Sequence, residues 1–91
     1  MSSIDIRRRH SRSQKEARAA VERIAKHIAE KFDVEYGWNG SVLDFSRAGV
    51  DGHIALEKDE IHVYARLGLF LGMLKGPIEA EIHRYLDEEF A

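Results

Sequence analysis

The spacing of apolar residues changes along the chain, and each change predicts a change of element. Ile4 and Ile6 alternate with polar neighbours, which predicts a short strand over residues 3–9. From Ala17 the spacing becomes three and four. Ala17, Ala20, Val21, Ile24, Ile28 and Phe32 then form one stripe, opposite a charged face of Arg18, Glu22, Lys26 and Glu30. This pattern predicts an amphipathic helix. Ser13 lies three residues before Glu16, the capping-box spacing that satisfies free N–H groups at a helix start, and Asp33 is expected just past the helix end.

Alternation returns between residues 34 and 67, where turn signals divide it into a meander. Asn39-Gly40 is a favoured two-residue hairpin turn, with positive φ expected at both positions. It sets Trp38 opposite Ser41, Tyr36 opposite Leu43, and Val34 opposite Phe45. A loop from Ala48 to Asp51 then aligns Phe45 with Ile54, with Asp51 and Gly52 of "VDGH" as turn residues. Lys58-Asp59 makes a further tight turn, setting Leu56 opposite Ile61 and Ile54 opposite Val63. Two apolar rows result: Tyr36, Leu43, Leu56, Ile61 and Val34, Phe45, Ile54, Val63. A one-residue slip would turn a strand's apolar set toward water, so the register has physical content.

After the inward row Ile61, Val63, Ala65, Leu67 comes "LGLFLGMLKGP", residues 67–77, a nearly uninterrupted apolar run. Spanning a bilayer takes about 20 apolar residues, and this run stops at Lys75. It reads as a connector into a second helix over 77–90, in which Pro77 suits the first turn and Ile78, Ile82, Leu86 and Phe90 repeat every four residues. The expected fold is α+β and two-layered: a strand, a helix, a four-strand meander and a helix. Both helices lie on one face of a mainly antiparallel five-stranded sheet of order 1-5-4-3-2. Residues 1–91 read as a single domain with no internal repeat or linker.

Composition narrows the function classes. A 91-residue chain has room for one modest core, which dimerisation would reinforce. With no cysteine there is no disulfide, thiolate metal site or cysteine nucleophile. No apolar stretch follows the charges of "MSSIDIRRRH", so a secretory signal is not expected and a cytoplasmic location is. Net charge is -2, but residues 1–18 carry six Arg or Lys against two acids, whereas residues 77–91 carry five acids against one Arg. The two ends are expected to attract each other. Arg7, Arg8, Arg9 and Arg12 form a candidate basic patch. It is short and lacks interleaved aromatics, so nucleic acid is not an expected partner.

Candidate chemistry is sparse. His53, His62, Tyr64, Asp44 and Glu35 are expected on the polar sheet face, with His62 and Asp44 on one cross-strand row. Their spacing matches no metal-ligand motif, so the cluster reads as a solvated or dimer-facing surface. His27 and His83 are expected at solvent on the helices, and His10 belongs to the basic stretch. No nucleophile elbow, phosphate-binding glycine loop or paired-carboxylate signature occurs, so neither an enzyme nor a cofactor is expected.

The segments "IDIRRRHSRSQKEARAAVERIAKHIAEKF", "VEYGWNG", "FSRAGVDGHI" and "LGLFLGMLKGPIEAEIHRYLDEEF" together resemble the small bacterial polyhydroxyalkanoic acid system proteins. The most specific parts are GVDG at 49–52 and LKGPIE at 74–79. The resemblance implies a non-enzymatic accessory role in polyhydroxyalkanoate synthesis or granule storage, with the granule or its coat proteins as partner and a homodimer as a further expectation. Leu69, Phe70, Leu71, Met73 and Leu74 are the candidate apolar partner surface. The alternative is a small hydrophobic-ligand module of helix-grip-like architecture, with Tyr36, Trp38 and Phe45 lining a cavity for hydroxyacyl or fatty-acyl groups.

Overall fold

The structure is a computed structural model and describes residues 2–90, apart from the side chains of Ser2 and Phe70. Strand β1 (Ser2–Arg9) leads to helix α1 (Gln14–Phe32), strands β2 (Glu35–Asn39), β3 (Val42–Arg47), β4 (Val50–Leu56) and β5 (Glu60–Leu67), a 3-10 segment (Leu69–Leu74) and helix α2 (Lys75–Glu89). The sheet is antiparallel throughout, in the order β1-β5-β4-β3-β2. This is the expected α+β topology.

Helix α1 begins as its spacing predicts. The Ser13 hydroxyl accepts from the Glu16 amide at 3.2 Å, while the Glu16 carboxylate accepts from the Ser13 amide at 3.2 Å. These bonds from Ser13 hold the Glu16 carboxyl below the usual carboxylate range. The helix ends on Asp33 in the left-handed conformation, at φ 57°. Its stripe of Ala17, Ala20, Val21, Ile24, Ala25 and Ile28 is buried against the sheet. Helix α2 covers the same sheet face with Ile78, Ile82 and Leu86, and it starts at Lys75, ahead of Pro77. Glu81 joins the helices: it bonds Lys31 at 2.9 Å and Arg84 at 2.7 Å, which lowers its pKa to about 2.

The β4–β5 register is as expected, with Leu56 opposite Ile61 and Ile54 opposite Val63. The other two hairpins are displaced by two residues. Trp38 faces Leu43 and Tyr36 faces Phe45, because the turn occupies Gly40-Ser41 and only Gly40 takes positive φ, at 66°. Gly at the first central position is the requirement of a type II′ turn, whose twist suits the flanking strands. Likewise Ala48-Gly49 makes the next turn, with Gly49 at φ 84°, so Phe45 faces Gly52 and Leu43 faces Ile54. "VDGH" is therefore strand. Gly52 is a matter of space: a Cβ there would lie 2.4 Å from the Tyr64 carbonyl oxygen and 2.6 Å from Phe45 Cζ.

Displacement by two residues keeps every side chain on its face but changes its neighbours. The apolar rows become Ile6, Val63, Ile54, Leu43, Trp38 and Ile4, Ala65, Gly52, Phe45, Tyr36. On the polar face Asp44 sits opposite His53, so the expected pairing of Asp44 with the His62 row is not formed. At the sheet edge Glu22 of α1 accepts from Tyr36 Oη at 2.7 Å and from Trp38 Nε1 at 2.6 Å. The Trp38 bond first, then the Tyr36 bond, holds the Glu22 carboxyl below its usual range. The Arg18 guanidinium lies 3.9 Å from the centre of the Trp38 ring and completes the cover.

Candidate functional site

At the end of β5 the apolar pattern continues but the strand does not. The Gly68 amide donates to the Gly49 carbonyl at 2.7 Å, tying the start of the 3-10 segment to the β3–β4 turn. In a 3-10 helix side chains three residues apart eclipse, so only one side of so short a segment can face the core. Leu71 and Leu74 take that side and pack against the buried cluster. Leu71 is fitted closely, since a Cβ on Gly49 would lie 2.7 Å from its Cδ1. Leu69 and Met73 project outward, 77% and 84% exposed.

The five residues expected to form an apolar partner surface therefore separate. Leu69 and Met73 are available to a partner, Leu71 and Leu74 serve mainly the core, and the Phe70 side chain lies outside the described residues. A groove of about 300 Å³ opens where the segment begins, lined by Ser46, Arg47, Gly49, Val50, Asp51, Arg66 and Gly68. Arg47 donates to the Phe32 carbonyl at 2.9 Å, and Arg66 lies 3.6 Å from Asp51. Both arginines line the groove at the β3–β4 turn to which Gly68 is tied, so acceptor groups on a partner could be bound there. Sequence reasoning missed both. Their only signal was proximity to Gly49, and seeing it required the corrected turn position.

The candidate basic patch does not converge. Strand alternation sends Arg7 and Arg9 to the open face and Arg8 to the helix-covered face. Arg7 pairs with Glu60 at 3.1 Å, Arg9 with Asp59 at 3.5 Å, and Arg8 with Asp87 of α2. That last pair joins the basic N-terminal stretch to the acidic C-terminal one. The Arg12 guanidinium lies 6.0 Å from the Phe90 ring centre. His10 packs its ring 5.3 Å from Phe90 as well, so it belongs to this contact rather than to a cationic surface.

On the open sheet face the His53 ring is tilted against Tyr64 at 5.6 Å and lies edge-on to His62 at 6.2 Å. His62 Nε2 lies 2.8 Å from Asp5 Oδ1. Among the described residues no group of three or more His, Asp or Glu is placed to hold a metal ion. On the helices His27 and His83 are both exposed, as expected, and the His27 ring stacks 5.1 Å from Tyr85.

The interior leaves little space for the alternative of an enclosed ligand. A void of about 20 Å³ lies among Ile28, Phe32, Val34, Phe45, Val50, Ala65, Leu67, Ile78 and Ile82. Ligand pockets for molecules of acyl-chain size run to roughly 300–1,000 Å³. Tyr36 and Trp38, expected to line such a cavity, are instead held at the sheet edge by Glu22. Among the described residues no helix is long and apolar enough to cross a membrane.

Comparison with curated proteins and with solved structures gives no match. A family model does match, over residues 4–90, and so takes in the 3-10 segment, both helices and nearly all of the sheet. The chain belongs to the family described as "Putative polyhydroxyalkanoic acid system protein".

Proposed function

We propose that the protein is a non-enzymatic accessory component of polyhydroxyalkanoate synthesis or storage, acting in the cytoplasm at the granule surface through the 3-10 segment. The observation that carries this reading is the outward projection of Leu69 and Met73 from a segment whose other leucines are already used by the core. A polyester surface is apolar and offers carbonyl acceptors without charge. Leu69 and Met73 supply apolar contact worth roughly 1.5–3 kcal/mol each if fully buried. Arg47 and Arg66, on the groove where the segment begins, supply donors.

The test is co-sedimentation of the purified protein with isolated granules. The wild type is compared with a Leu69→Asp, Met73→Asp double variant, which alters only exposed positions. Loss of sedimentation with unchanged circular dichroism is expected. Equal sedimentation of the two proteins would remove the 3-10 segment from the interaction.

A further inference from the structure

The two edges of the sheet are treated differently. An unpaired edge strand presents a row of free peptide groups, and charged side chains are one common way of discouraging another strand from joining it. Strand β1 has that protection, with Arg7, Arg8 and Arg9 in sequence, each held by an acid of β5, of the β4–β5 turn or of α2. Strand β2 has none. Its sequence is Glu-Tyr-Gly-Trp-Asn, with no Lys, Arg or Pro. Among the described residues it pairs only with β3.

Strand β2 is also tied down by side-chain hydrogen bonds where an unused edge could fray. Both of its aromatic side chains are bonded to Glu22, and Arg18 donates to the Gly40 carbonyl at 3.1 Å just past its end. At its centre is a glycine that the fold of one chain does not explain. Among the described glycines, positive φ falls at Gly40 and Gly49 and not at Gly37, and a Cβ on Gly37 would meet nothing within 4 Å. Glycine inside a strand weakens it, and it often marks a place where another backbone approaches closely.

We infer that β2 is a dimerisation edge, at which two copies of this chain pair antiparallel about a twofold axis through Gly37. A two-residue turn closes on the pair Asn39 and Val42, so ladder alternation turns the peptide groups of Tyr36 and Trp38 away from β3 and toward a partner strand. In the twofold register Tyr36 faces the second copy's Trp38 on one sheet face, and Glu35 faces the second copy's Asn39 on the other. Aromatic pairs meet, no like charges are opposed, and the axial position holds glycine. The strand is thus complementary to itself, as an isologous interface requires. The result is a continuous ten-stranded sheet with a 3-10 segment from each copy. This inference is independent of granule binding.

The absence of cysteine makes a direct test available. Residues facing each other in a non-hydrogen-bonded antiparallel pair lie about 4.5 Å apart at Cα, within disulfide range. Under mild oxidation Gly37→Cys is expected to give a covalent dimer in high yield, while Ser3→Cys on the β1 edge stays a monomer. Wild-type protein is expected to sediment at twice 10.4 kDa at micromolar concentration. Gly37→Lys, which meets no atom of its own chain but places two ammonium groups at the axis, is expected to sediment as a folded monomer. The inference is overturned by any of three results: a wild type that stays monomeric, cross-linking through Ser3→Cys in place of Gly37→Cys, or a folded Gly37→Lys that remains dimeric.

Discussion

Helix α1 and the 3-10 segment are both apolar pieces laid against one sheet face, and they bury their side chains to very different degrees. Every residue of the α1 stripe from Ala17 to Ile28 is buried, and the helix opens with a reciprocal cap. The 3-10 segment opens on Gly68 with no side-chain cap, seats Leu71 and Leu74, and leaves Leu69 and Met73 in solvent. A stripe spaced by three and four wraps smoothly onto one side of an α-helix. Six residues at three per turn cannot gather an unbroken apolar run onto one side. Folding therefore accounts for all of the α1 stripe but only part of the apolar run at 69–74, and the remainder is free for another role.

The comparison is broken most forcefully from the α1 side. Ile24 is 1% exposed and sits in the middle of the buried stripe. Ile24→Ala is expected to cost about 2–5 kcal/mol, since it removes buried methyl groups and leaves a cavity that the sheet cannot fully close. Urea unfolding followed by circular dichroism measures this directly. A loss no larger than that of a surface substitution would mean that the α1 stripe is less integral than its burial implies.

The inward half of the 3-10 segment is tested next, through the turn on which it rests. Gly49 combines a φ of 84° with a Leu71 methyl where a Cβ would be. Gly49→Ala is expected to destabilise by about 1–3 kcal/mol through backbone strain, with displacement of Leu71 adding to it. Gly76→Ala, which has neither feature and lies away from the β2 edge, provides the control. Equal stability of the two variants would show that Leu71 does not anchor the segment.

Much of this contrast was legible in the residues, but unevenly. The start of α1 could be read because Ser13 and Glu16 form a local signal with one structural meaning, and the structure contains that box. The β4–β5 register was legible because Lys58-Asp59 leaves one way to align two clean alternations. The other hairpins were misplaced because Asn39-Gly40 and Gly40-Ser41 both make acceptable turns, and "GVDG" offers two glycines of which one bends the chain and the other relieves crowding under Phe45. Since each displacement was by two residues, burial was predicted correctly while cross-strand neighbours were not. For the candidate site, the run 69–74 was recognisable as a connector. Which of its side chains protrude depended on a three-residue helical repeat, and the convergence of Arg47 and Arg66 on one groove depended on the turn that had been misplaced.

The caps offer a smaller test of the same contrast. Ser13→Ala removes the acceptor for the Glu16 amide and the anchor of the box at the start of α1. The expected cost is about 1 kcal/mol, read as a lower urea midpoint with an unchanged slope. Gly68→Ser puts a capping-type residue before a segment that lacks a side-chain cap, and it is not expected to restore an equivalent gain. Six residues of 3-10 structure are held by Leu71, Leu74 and the Gly68–Gly49 bond, with little helix propensity for a cap to act on. A gain from Gly68→Ser as large as the loss from Ser13→Ala would show that the segment is limited by its start rather than by what lies beneath it.

The smallest expected effect is the most informative. Leu69→Ser with Met73→Ser removes two large apolar side chains that are 77% and 84% exposed, so little packing is lost. Stability is expected to stay within about 0.5 kcal/mol of the wild type, as for other surface substitutions away from caps and buried networks. Leu71→Ala, one turn away and packed on the core, is expected to be measurably less stable under the same conditions. If the double variant instead loses as much as Leu71→Ala, Leu69 and Met73 are stabilising contacts within the protein itself, and the 3-10 segment is core. If only Leu71→Ala is affected, Leu69 and Met73 are dispensable for folding, and their exposure can be put to use by a partner.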